Sequence, residues 1–138
     1  MLSCIFIIGL IFGSFLNVLI RRLPLNIPLI NPTGSECPYC QYKIKWHENI
    51  PIISYLVLKG KCSNCSKHIS IVYPTVEMIT GLVTVLLYSH QQFDSNLLLT
   101  IALFYILIIL SFIDFKYKAV PDYLLIIVMV LTLIIGDW

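Results

Sequence analysis

The chain has 138 residues, of which 59% are hydrophobic and 12% charged, with a mean hydropathy of +0.92. These values are too apolar for a soluble domain of this size and describe a polytopic membrane protein. The formal net charge of +2 gives no basis for a nucleic-acid partner, so the position of the charges says more than their sum.

In chain order, Ser3 to Ile20 is a run of 18 residues without a charge. As a helix it is ~27 Å long, close to one bilayer core. No basic residue precedes it and no small-x-small cleavage site follows, so a retained transmembrane helix is expected in preference to a signal peptide. Gly9, Gly13, Ser14 and Asn17 share one face, which suits close helix packing. Asn17 either turns into the bundle or sits hydrated near the interface. Cys4 reads as a buried apolar residue. Arg21-Arg22-Leu23-Pro24 closes the helix, and residues 24–36, with three prolines and a glycine, read as an irregular connector on the membrane surface.

Two Cys-x-x-Cys pairs follow, Cys37/Cys40 and Cys62/Cys65, separated by 21 residues. Each pair offers two sulfurs from a tight turn, and two such turns close a tetrahedral site. Four thiolates leave no open position, so a bound zinc would be structural. The same four sulfurs also accept iron, and a redox dithiol or two disulfides are the competing readings. His47 and His68 are spare donors. Ile44, Trp46, Ile50, Ile52, Ile53, Tyr55 and Leu56 supply apolar material either beside the metal or at the membrane interface. A module of this size buries too little surface to fold unaided, which a metal staple would remedy.

Val72 to Ser89 is the second expected span, with Pro74 in its first turn, where proline is tolerated. Glu77 lies inside it. A carboxylate there must find a polar interior or reach back to the headgroups. A polar turn over residues 90–96 leads to a third span, Leu97 to Ile113, ending at Asp114. A basic turn from Phe115 to Pro121 follows, Asp122 is expected to cap the next helix, and Tyr123 to Ile135 begins a fourth span that stops at Gly136-Asp137-Trp138. All nine Lys and Arg residues lie after the first or the third span. The positive-inside rule then puts the cysteine module and the Asp114 turn on the cytoplasmic face, with both termini outside. That compartment is reducing, which favours metal over disulfide. The expected fold is an all-α polytopic membrane protein of about four transmembrane helices, with a small cytoplasmic zinc-ribbon-like module inserted after the first. The expected divisions are residues 1–23, 24–71 and 72–138.

Asp114 and Asp122 face each other across the turn and are the candidates for acid/base chemistry. The plain alternative is two hydrated interfacial aspartates. An aspartic protease needs two carboxylates sharing a proton. Asp137 is ~22 Å along the fourth helix from Asp122 and cannot join them.

Gly13-Ser14-Phe15-Leu16-Asn17-Val18 with Arg22-Leu23-Pro24 resembles the N-terminal signature of bacterial prepilin peptidases, the type IV leader peptidase/N-methyltransferase family. The module from Cys37-Pro38-Tyr39-Cys40 through Trp46, Asn49-Ile50-Pro51 and Gly60-Lys61-Cys62 to Cys65 resembles it too. So do Tyr73-Pro74 with Glu77, and Ile113-Asp114 with Val120-Pro121-Asp122. The resemblance implies an inner-membrane aspartic endopeptidase that removes leaders from type IV prepilins or pseudopilins. It also implies methylation of the new N-terminus from S-adenosylmethionine. It assigns Asp114 as a catalytic aspartate, Cys37, Cys40, Cys62 and Cys65 as zinc ligands, and Asp122 and Glu77 as accessory positions. The family's second catalytic aspartate, in a Gly-x-Gly-Asp motif, has no match here. The isolated chain is therefore expected to be incompetent alone and to need a second chain or a longer sequence. The alternative is a non-catalytic membrane-anchored zinc-binding scaffold in pilus or secretion assembly, and a third reading is a thiol redox sensor.

Overall fold

Apolar runs flanked by charge form the three longest helices. The computed structural model describes residues 1–28, 36–91, 96–118 and 120–136. Residues 29–35 of the connector, 92–95 of the polar turn, Ala119 and the Asp137-Trp138 pair lie outside the described residues. Helix α1 spans Leu2–Arg22, α3 Val72–Gln91, α4 Leu97–Tyr117 and α5 Asp122–Ile135. A 3₁₀ turn, Trp46–Asn49, and a short helix α2, Ile53–Val57, lie between α1 and α3. Leu2–Arg22, Val72–His90 and Leu97–Tyr117 are long and apolar enough to cross a membrane. The expected fourth span is helical for 14 residues, ~21 Å, short of a bilayer core.

The bundle is built on α1 against α3, its most extensive pairing, with α4 packed on both and α5 on α4. Glycines set the α1–α3 distance. A Cβ on Gly13 would stand 2.7 Å from the Glu77 Cα, and one on Gly9 would stand 2.8 Å from the Gly81 Cα. Backbone meets backbone there, as the small-residue face of α1 predicts. The buried cluster combines Leu16 and Ile20 of α1, Val76 of α3, Tyr105, Ile108, Ile109, Leu110 and Ile113 of α4 and Leu124 of α5. Cys4 departs from expectation: it is exposed on α1, on the surface a bilayer would cover.

Polar residues inside the spans are satisfied within the bundle. Thr80 and Thr84 donate to the carbonyls of Val76 and Thr80, both at 2.7 Å, the back-bonding available to hydroxyls in helices. Thr84 has spent its proton on that carbonyl, so the Tyr105 hydroxyl, 2.7 Å away, donates to it and ties α4 to α3. Asn17 is buried, and its Nδ2 donates to the Tyr73 carbonyl at 3.0 Å. Of its two expected settings, the bundle interior is the one adopted. No buried side-chain nitrogen or oxygen among the described residues lacks a partner.

Candidate metal centre and the acidic turn

Each Cys-x-x-Cys pair folds into the same knuckle. In the first, the Cys37 N–H donates to the Tyr42 carbonyl at 3.0 Å and the Gln41 N–H to the Cys37 carbonyl at 2.9 Å. In the second, the Cys62 N–H donates to Lys67 at 2.9 Å and the Ser66 N–H to Cys62 at 3.0 Å. Gln41 and Ser66 occupy equivalent positions, both with φ of 57°. A single antiparallel bridge closes each knuckle, Glu36 with Lys43 and Lys61 with His68. The Lys67 ammonium lies 4.4 Å from the Tyr39 ring centroid and joins one knuckle to the other.

The four sulfurs converge, all within 4.8 Å of one another. Cys37 and Cys65 are 3.8 Å apart, and Cys40 and Cys62 are 4.0 Å apart. A tetrahedral ion with sulfur bonds of ~2.3 Å sets sulfurs ~3.8 Å from each other, whereas a disulfide holds them at ~2.05 Å. The cluster therefore has the dimensions of a four-thiolate site that can hold a metal ion such as zinc. His47 and His68 are not members of it. The backbone amides of Tyr39 and Tyr42 lower the Cys37 and Cys40 thiols, respectively, below the ordinary cysteine value. The Lys67 amide lowers Cys65 likewise, but desolvation and the other three sulfurs outweigh it and push that thiol up to about 11. Four thiolates crowd together only if a cation neutralises them. Glu48 lies beside the second knuckle; the Ser63 hydroxyl and the Lys45 amide hold its carboxyl below the usual range.

The expected apolar packing beside the metal is only partly realised. Tyr55 covers Gly60, whose added Cβ would meet the Tyr55 hydroxyl at 2.9 Å. Trp46, Ile50, Ile53 and Leu56 remain exposed.

The module docks on the membrane helices through a contact that the sequence pattern does not predict. The Ile52 N–H donates to Glu77 Oε2 at 2.7 Å, and the Ser14 hydroxyl bonds the same carboxylate. Ile52 has φ 60° and ψ −49°, and the next amide, of Ile53, returns to the Pro51 carbonyl. This is a γ-turn with positive φ at a β-branched residue, a strained geometry. Glu77 secures it, and in turn obtains the donors that a buried carboxylate requires. The signal in the sequence was a lone Glu in an apolar helix; its partner is a backbone amide, which no side-chain pattern reveals.

A cavity of about 490 Å³ lies between module and helix ends, lined among others by Asn17, Arg21, Cys37, Glu48, Glu77 and Lys116. Lys116 is two residues past Asp114, so the acidic turn and the module share one end of the bundle. Asp114 is exposed in the last turn of α4. Asp122 is also exposed, but as the first residue of α5: Pro121 takes the capping position and no side chain caps the helix. That differs from the expected Asp122 cap, because proline's fixed φ already presets the turn.

Fold and site together define a helical membrane protein carrying a four-cysteine module that can hold a metal ion. A model of the bacterial peptidase A24 N-terminal domain matches residues 7–91, and the chain belongs to that family. A prepilin leader peptidase/N-methyltransferase from Vibrio cholerae serotype O1 is 42% identical over 127 residues, 86% of this chain and 49% of the relative. That of Stutzerimonas stutzeri is 36% identical over 158 residues, 98% of this chain and 54% of the relative. That of Myxococcus xanthus is 38% identical over 117 residues, 85% of this chain and 35% of the relative. The chain thus spans about half, or less, of the length of these relatives. No solved structure matches it.

Proposed function

We propose that this chain forms the metal-binding and first membrane part of a prepilin leader peptidase/N-methyltransferase of the bacterial cytoplasmic membrane. The observation that carries the proposal is the shared end of the bundle: Lys116, beside Asp114, lines the same cavity as Cys37 and Glu77. A substrate held at one membrane face could reach both. Asp114 is then one of two carboxylates of an aspartic endopeptidase, activating water while its partner protonates the leaving amine. The partner carboxylate comes from outside these 138 residues, from the rest of the protein or a second chain. Asp122 has an accessory role at the turn. Cys37, Cys40, Cys62 and Cys65 hold a structural zinc, and Glu77 fixes the module over the bundle. The substrate is a type IV prepilin or pseudopilin; S-adenosylmethionine is the methyl donor if the second activity of the relatives is retained. Module and acidic turn face the cytoplasm, and the start of α1 and the segment between α3 and α4 face the other side.

The test is leader removal from a prepilin in detergent, by this chain alone and after co-expression with the remaining half of a relative. Cleavage is expected only in the complemented sample and is lost with Asp114→Ala. Cleavage that survives Asp114→Ala would refute the catalytic assignment, and cleavage by the chain alone would refute the need for an outside carboxylate.

A further inference from the structure

Glu77 is five residues past Val72, the first residue of α3, ~7.5 Å along the axis. Side chains on a helix lean toward its N-terminus, so the carboxylate reaches back to about the first turn of the span. Ile52 is hydrogen-bonded to that carboxylate at 2.7 Å. Its main chain therefore lies level with the first turn of α3, not beyond the end of that helix. Helix α2 starts at the next residue.

Helix α2 has two unlike sides. Ser54 is buried and its hydroxyl donates to the His47 carbonyl at 2.9 Å, while the Tyr55 ring covers Gly60. On the other side Ile53 is 59% exposed, Leu56 68% and Val57 73%. These three positions share one helical face. The adjoining 3₁₀ turn exposes Trp46 at 83%, and Ile71, just before α3, is exposed as well. The exposed cations Lys59 and Lys61 follow α2 directly. An apolar helical face, an exposed indole on the neighbouring 3₁₀ turn and lysines next in sequence match the make-up of a bilayer interface: acyl boundary, then headgroups.

We infer that α2 is an interfacial membrane anchor, with Ile53, Leu56 and Val57 inserted at the acyl boundary and Lys59 and Lys61 among anionic headgroups. The partner is the bilayer that α1, α3 and α4 already cross, whose surface this face continues. The module is consequently seated in the membrane interface, and Glu77 sets its depth by holding the Ile52 amide. The strain of the γ-turn is then the cost of lowering α2 to the level of the span.

The test places an indole on this face with Leu56→Trp and, separately, Val57→Trp, in a background whose other tryptophans are replaced by Phe. The whole protein is reconstituted in phosphatidylcholine/phosphatidylglycerol vesicles, and its metal content confirms that the module is folded. Blue-shifted emission, quenching by acyl-brominated lipid and protection from aqueous iodide are expected at both positions. Adding Glu77→Leu should raise iodide access and reduce lipid quenching. Iodide access equal to that of free tryptophan would overturn the anchor, because the module would stand off in water. Protection from both quenchers would overturn it too, since protein and not lipid would then cover the face. Unchanged lipid quenching in the Glu77→Leu variant would contradict the role of Glu77 in setting depth.

Discussion

Sulfur geometry makes the sharpest residue-scale claim. Each of the four cysteines supplies one corner of the cluster, so no three of them complete a tetrahedron. Replacing any one with Ser should reduce bound metal from one per chain to near zero, read by elemental analysis of purified protein. Retention of full metal in Cys40→Ser would show that a different donor set binds. Acidity follows from the same geometry. In the metal-free module Cys65 keeps its proton up to about pH 11, and metal binding must expel it. Apparent metal affinity should therefore fall as pH falls, by at least about tenfold per unit between pH 8 and pH 6. Competition with a chelator across that range measures it, and a flat profile would mean that the thiolates are already deprotonated. Asp114 and Asp122 differ in what their surroundings ask of them. Asp114→Asn should lower leader cleavage by ~10²–10⁴-fold in the complemented enzyme, whereas Asp122→Asn, at an uncapped helix start, should cost far less.

At the scale of elements, the α1–α3 pair and the docking of the module carry the structure. Gly13→Leu would drive a side chain into the Glu77 backbone, 2.7 Å from the position of its Cβ. Overpacking of that kind costs ~1–3 kcal/mol and should lower the thermal midpoint in detergent, with metal content preserved. An unchanged midpoint would mean that the helices do not meet there. Gly9 and Gly13 were legible in the sequence because small residues four apart have one main use in an apolar helix. The knuckles were legible because Cys-x-x-Cys fixes its own turn. The Glu77–Ile52 contact was not, since its donor is main chain and its existence depends on a tertiary approach between residues 25 apart. Asn17 left two settings open for the same reason: its acceptor is the Tyr73 carbonyl. Asp favours the capping position, so the sequence predicts an Asp122 cap, but Pro121 occupies it. The exposed side of α2 shows the limit of hydrophobic patterning, which marks residues for burial without saying whether protein or lipid buries them.

For the whole molecule, one end of the bundle gathers the C-terminus of α1, the start of α3, the end of α4 and the metal module around a single cavity. The opposite end carries none of the Lys or Arg residues of the chain. That asymmetry, rather than any one residue, is what the proposed cytoplasmic catalytic face rests on, by the positive-inside rule. The most direct test is membrane sidedness, with alkaline phosphatase, active only outside the cytoplasm, fused after Lys67, Gln91 and Lys118. Activity is predicted for the Gln91 fusion alone. Activity after Lys67 or Lys118 would put the cysteine module or the Asp114 turn on the far side of the membrane and contradict the account.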